Sequence, residues 1–88
     1  MNNLCISSLV VQTQPAMLAS VRRRLEAIPE AEVCAENEEG KLVVVLDTAT
    51  NRKAADKITD IQNVTGVLSA TLIYQFDDQF GLQQEDSA

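Results

Sequence analysis

The spacing of hydrophobic residues divides the chain into two halves, each predicting a strand, a helix and a second strand. The predicted elements are residues 4–12, 15–28 and 31–36 in the first half, and 41–47, 50–62 and 67–76 in the second. Most of the predicted strands are runs rich in valine, leucine and isoleucine, and apolar residues recur every three or four residues in the predicted helices. This order predicts an α+β domain, a ferredoxin-like βαββαβ sandwich in which a four-stranded antiparallel sheet carries two helices on one face.

Alternation along each predicted strand assigns its side chains to one face of the sheet. In the outer strands it directs Val33, Ala35, Leu72 and Tyr74 toward the helices. The helix-free face is then expected to carry a largely apolar set comprising Ile6, Ser8, Val10, Cys34, Val43, Val45, Ser69, Thr71 and Ile73. A contiguous apolar surface of this kind is typical of a binding site. Dimerisation through the sheet, or simple exposure of a few β-branched residues, would account for the same pattern.

Composition excludes several classes of function. The 88 residues have a net charge of −6, which argues against nucleic acid as a partner because such binding relies on clustered lysine and arginine. The chain has no histidine, the commonest general base and a frequent metal ligand. Cys5 and Cys34 are far apart and form no C-x-x-C pair. We therefore expect neither catalysis nor a cofactor or metal site.

The sequence predicts no integral membrane segment. No stretch approaches 18 apolar residues, and the first twelve residues lack the basic start of a secretory signal. Together with the two unpaired cysteines, this favours a cytoplasmic protein.

The chain is expected to form a folded domain over residues 1–76 and an acidic, flexible tail over residues 77–88. The tail holds Asp77, Asp78, Glu85 and Asp86 and no base, a composition typical of a mobile segment. Its two large apolar residues, Phe80 and Leu82, would allow it to shield the helix-free face.

Five segments, taken in order, resemble the NapD family, the small chaperones of periplasmic nitrate reductase maturation. They are residues 8–12, 28–33, 40–45, 63–68 and 71–74, and the resemblance covers about residues 5–76. It implies a cytoplasmic chaperone that binds the twin-arginine signal peptide of the catalytic subunit NapA. Binding would delay export of NapA until that subunit has acquired its molybdenum cofactor and iron–sulfur cluster.

The helix-free face suits such a peptide, which has a basic start followed by an apolar segment. We expect the apolar segment to contact Ile6, Ser8, Val10, Val43, Val45, Thr71 and Ile73. The carboxylates of Glu32 and Glu36, and of Asp47, are expected to attract the arginine pair. The alternative is an ACT-like small-molecule-binding regulatory domain, which shares this topology, although residues 12–15 lack the glycine-rich loop usual there. A free-standing scaffold protein is a third interpretation.

Overall fold

The computed structural model describes residues 5–77, and within them a four-stranded antiparallel sheet carries two α-helices. The strands are β1 (Cys5–Thr13), β2 (Ala31–Glu36), β3 (Lys41–Thr48) and β4 (Val67–Asp77). The helices are α1 (Leu18–Glu26), preceded by a 3₁₀ turn at Pro15–Met17, and α2 (Asn51–Gln62). The strand order is β2-β3-β1-β4. This architecture confirms the predicted ferredoxin-like α+β fold, with the first helix shorter than its pattern suggested.

The hydrophobic core lies between the helices and one face of the sheet. Its fully buried side chains come from the central strands and from one stripe of each helix: Leu9, Val11, Val21, Leu25, Leu42, Val44, Leu46 and Ile61. Burying each such side chain contributes roughly 1.5–3 kcal/mol of hydrophobic free energy. The alternation predicted for β1 and β3 is therefore confirmed, because every second residue of both strands is buried in this core.

Local polar contacts fix where the second helix begins. Thr50 has extended backbone angles, and its hydroxyl oxygen accepts a hydrogen bond from the backbone N–H of Lys53 at 3.1 Å. An N-cap of this kind stabilises a helix by about 1 kcal/mol. The cap fixes the first turn of α2, a helix that buries Ala54 and Ile61.

The β2–β3 hairpin depends on Asn37 and Gly40. The Asn37 side-chain oxygen accepts hydrogen bonds from the backbone N–H groups of Glu39 and Lys41, at 3.0 and 3.1 Å. Gly40 has φ +95°, and a Cβ placed there would overlap the carbonyl oxygen of Thr13. Glycine is required here both for the backbone angle and for this close approach, which packs the hairpin against the end of β1.

The two outer strands contain β-bulges, where the pairing register shifts by one residue. In β2, Val33 lies opposite Val44 and Ala35 lies opposite Val43, so Cys34 is an extra residue without a partner. In β4, the register to β1 shifts twice and leaves Leu68 and Ile73 as the extra residues. Because strand side chains alternate in direction, one extra residue changes the face of every side chain beyond it.

These bulges overturn three predicted face assignments. Ala35, expected toward the helices, lies opposite Val43 and so faces away from them. Glu36, expected on the helix-free face, lies opposite the buried Leu42 and belongs to the helix-bearing side. Tyr74, expected toward the helices, lies opposite Ser8 on the helix-free side. The simple alternation was wrong at these positions because it assumed strands without interruption.

Candidate functional site

The helix-free side of the sheet, called the open face from here on, carries fourteen side chains. Register with the central strands assigns them: Ile6, Ser8, Val10 and Gln12 from β1; Glu32 and Ala35 from β2; Lys41, Val43, Val45 and Asp47 from β3; Ser69, Thr71, Tyr74 and Phe76 from β4.

Two cross-strand rows form the middle of the open face. One row runs Ala35, Val43, Val10, Thr71 across the four strands, and the next runs Glu32, Val45, Ser8, Tyr74. Val10, Val43 and Val45 are half-buried although no described element covers them, because neighbouring side chains in the sheet shield them. The floor is therefore apolar at its centre, with small hydroxyl groups between the valines.

An open cavity of about 280 Å³ lies on this face beside the β2–β3 hairpin. It is lined by Val10, Ala35, Glu36, Asn37, Lys41 and Val43. Its base consists of three small apolar side chains, one from each of β1, β2 and β3. The bulge at Cys34 creates this arrangement, since it turns the short side chain of Ala35 toward the cavity.

Six of the residues predicted to bind a peptide share the open face: Ile6, Ser8, Val10, Val43, Val45 and Thr71. Glu32 also lies on it, opposite Val45. Ile73 is the extra residue of the β4 bulge and is 58% exposed, and register assigns it to neither face. The participation of all these residues in binding stays a prediction.

Glu36 differs from Glu32 and Asp47, the other two acidic residues expected to attract the arginine pair, because it already has a cationic partner. Its Oε1 accepts a hydrogen bond from Nη1 of Arg22 at 2.9 Å, which joins β2 to α1. Arg22 also approaches Glu26 at 3.9 Å. This ion pair agrees with the register, which puts Glu36 on the helix-bearing side and leaves Glu32 as the only glutamate of residues 5–77 that pairing places on the open face.

Sequence reasoning missed the aromatic residues Tyr74 and Phe76, which lie on the open face opposite Ser8 and Ile6. A signal for this was present in Gln75, the single polar residue between Leu72 and Phe76. Its side-chain amide donates a hydrogen bond to the hydroxyl of Ser7 at 3.0 Å, on the helix-bearing side. The pairing of these two polar side chains requires Tyr74 and Phe76 to point the other way.

Charges on the open face are few and unevenly placed. Glu32 and Asp47 lie toward one end, and Lys41 lies at the other end, opposite Gln12. Among residues 5–77, neither Glu32 nor Asp47 forms an ion pair. The other six bases of the chain are all on the helices: Arg22, Arg23, Arg24, Arg52, Lys53 and Lys57. The negative charge that register places on the open face is therefore concentrated at the end with Glu32 and Asp47.

Residues 5–77 contain no group of three histidine, cysteine or carboxylate side chains arranged to hold a metal ion. In the same part of the chain, neither helix has the length and apolar character needed to span a membrane. The predicted tail beyond Asp77, including Phe80 and Leu82, lies outside the described residues.

These features define a ferredoxin-like domain with an apolar sheet face that no element of residues 5–77 covers. The family model described as NapD protein matches residues 4–79, so the chain belongs to the NapD family, as the sequence resemblance indicated. Chaperone NapD of Escherichia coli K12 is 30% identical over 80 residues, which cover 90% of this chain and 92% of that protein. Chaperone NapD of Haemophilus influenzae is 28% identical over 75 residues, covering 84% and 81%.

A solved structure shows the same fold. The solution structure of the E. coli Tat proofreading chaperone protein NapD has a TM-score of 0.79 to this chain and 31% sequence identity. The match covers 83% of this chain and 78% of that one.

Proposed function

We propose that this protein is a cytoplasmic chaperone that binds the twin-arginine signal peptide of the periplasmic nitrate reductase subunit NapA. By occupying the signal, it holds NapA back from export while the cofactors of that subunit are inserted. It acts by binding rather than by catalysis. Support comes from the family membership and from the similar E. coli protein NapD, which is a Tat proofreading chaperone. The family match favours this function over an ACT-like sensor domain.

The observation that carries the proposal is the apolar floor of the open face, which no element of residues 5–77 covers. Val10, Val43 and Val45 come from the two central strands, so they lie side by side at the middle of the sheet. An apolar segment laid on them would bury valine surface that no described element covers, at roughly 25 cal/mol per Å². If the segment is helical, apolar residues three and four apart would meet this floor, as in other groove-bound helices.

The acidic residues of this face complement the basic start of such a peptide. Glu32 and Asp47 are exposed, lack an ion-pair partner among residues 5–77 and border the apolar floor. A guanidinium group approaching either carboxylate can form a charge-assisted hydrogen bond, stronger than one between neutral groups. One face thus offers both kinds of contact that a twin-arginine signal needs.

The test is to place a charge in the middle of the floor. Val10→Glu or Val45→Glu should weaken binding of a synthetic NapA signal peptide by at least about tenfold, because an unpaired carboxylate would be buried against apolar residues. Affinity is measured by calorimetry with the full-length chain. Ala55→Glu, which adds the same charge at an exposed position of α2, is the matched control and should bind normally.

Urea unfolding of the same variants separates binding from folding. Stability of Val10→Glu close to that of the parent chain is expected, since the side chain faces away from the core. Normal peptide affinity in both valine variants would remove the open face as the binding site.

A further inference from the structure

The charge on the open face is distributed asymmetrically, because its acidic residues lie at one end and its basic residue lies at the other. Asp47 and Lys41 both belong to β3 and are six residues apart in the register. At a strand rise of about 3.3 Å per residue, their Cα atoms are separated by about 20 Å. Glu32 lies on the neighbouring strand opposite Val45, two residues from Asp47. Carboxylates therefore occupy one end of the floor and an ammonium group the other.

Lys41 is the only base of residues 5–77 that register places on this face. It lies at the end where the cavity is located and is one of the residues that line that cavity. An arginine pair placed there would meet a like charge, whereas an apolar side chain would meet Val10, Ala35 and Val43. The chemistry of the cavity end thus suits the apolar part of a signal peptide and disfavours its basic part.

Other carboxylates near the Lys41 end are less suited to bind arginines. Glu36 is held in its ion pair with Arg22 on the helix-bearing side. Glu38 and Glu39 lie in the exposed hairpin turn, three and two residues before Lys41, so an arginine brought to them would also approach the ammonium group of Lys41. Glu32 and Asp47 have no such neighbour on the open face.

From this charge distribution we infer that a bound signal peptide runs in one direction, with its arginine pair at Glu32 and Asp47 and its apolar segment extending over Val45 and Val43 toward Lys41. The inference rests on the proposed function and specifies how the same face is used. The distance fits, because a helix of about 13 residues spans about 20 Å at 1.5 Å per residue. Lys41 is then a specificity-determining residue that rejects the reversed orientation.

The experiment is a set of double-mutant cycles between full-length chain and peptide. The variant Glu32→Gln with Asp47→Asn should bind the natural peptide roughly three- to tenfold more weakly, the loss expected for two exposed ion pairs. It should bind a peptide whose two arginines are replaced by glutamine as well as the parent chain does. The matched control, Glu38→Gln with Glu39→Gln, removes the same charge from the hairpin and should bind both peptides like the parent chain.

A spin label at the peptide N-terminus provides an independent readout. It should broaden the NMR signals of the amides of Ile6 and Asp47 and leave those of Gln12 and Lys41 sharp. In Lys41→Glu, which has acidic groups at both ends, the label should broaden both sets of amides.

The outcomes separate the two proposals. A natural peptide that does not bind the parent chain at all overturns the proposed function and this inference with it. Binding in which the arginines couple to Glu38 and Glu39, or in which the label broadens Lys41, overturns the direction alone. Coupling to neither pair of acids also overturns it.

Discussion

The two edge strands of the sheet have opposite characters. Strand β2 has six residues, two of them glutamates, and one glutamate is tied to α1 by the Arg22–Glu36 ion pair. Strand β4 has eleven residues, and none is charged from position 67 to position 76. It also carries the four exposed large hydrophobic side chains of residues 5–77: Leu68, Leu72, Ile73 and Tyr74.

Edge strands expose unpaired backbone groups, and proteins protect them with charges, short length or bulges. Strand β2 uses all three devices. Strand β4 has only its bulges, and the extra residues of both bulges are themselves exposed hydrophobics. The comparison teaches that, among residues 5–77, the β2 edge is better protected against pairing with a further strand than the β4 edge.

The largest expected effect comes from placing a charge on the helix-bearing side of each edge strand. Val33 of β2 is half-buried and packs against the core, so Val33→Asp should lower the free energy of unfolding by about 2–4 kcal/mol. Leu72 of β4 is 43% exposed, so Leu72→Asp should cost about 1 kcal/mol or less. Urea unfolding measures both. Equal losses would show that the two edges are covered to the same extent.

The next effect tests the β4 bulge at Ile73, which sets the face of Tyr74 and Phe76. Gln75→Ala should destabilise the fold by about 1–2 kcal/mol, because the fully buried hydroxyl of Ser7 would lose its partner. In a double-mutant cycle with Ser7→Ala, part of this loss should be recovered. If the two substitutions are additive, Gln75 does not contact Ser7, and the faces of Tyr74 and Phe76 revert to simple alternation.

A smaller effect is expected for the ion pair that anchors β2. Both side chains are partly exposed, at 46% for Arg22 and 36% for Glu36, so a double-mutant cycle should give a coupling of about 0.5 kcal/mol. The coupling should decrease in high salt. Glu36→Gln should also leave affinity for the signal peptide unchanged, in contrast to Glu32→Gln. Weaker peptide binding in Glu36→Gln would show that Glu36 takes part in peptide binding despite its ion pair.

The smallest effect on stability belongs to the exposed bulge residue at the start of β4. Leu68→Lys should change the free energy of unfolding by no more than about 0.5 kcal/mol, because the side chain is 60% exposed. It should nevertheless raise the concentration at which the protein begins to aggregate. Thr65→Lys, at an exposed turn position, controls for the change in net charge. Identical aggregation of the two variants would mean that the β4 edge needs no protection.

The sequence predicted the central strands better than the edges, for a physical reason. In β1 and β3 every inward residue must be buried between two neighbouring strands and the helices, so each inward position from Leu9 to Val11 and from Leu42 to Leu46 is apolar. At the edges, one side of the strand is free, and an extra residue such as Cys34 or Ile73 can be accommodated without disrupting the core. The alternation of side chains along a strand does not by itself reveal where such an extra residue lies. Eight of the ten residues expected to bind the peptide were thus placed on the open face from sequence, whereas the faces of Tyr74, Phe76 and Glu36 required the pairing register.

The position of Tyr74 also gives the protein an intrinsic optical probe. The chain has one tyrosine and no tryptophan, so this phenol dominates its ultraviolet emission. Tyr74 lies on the open face opposite Ser8 and is 57% exposed to solvent. A ligand free of tyrosine and tryptophan that settles on this face would displace water from the ring and alter its emission. Fluorescence of the unmodified chain would then follow occupancy of the surface directly, with no label attached to either partner.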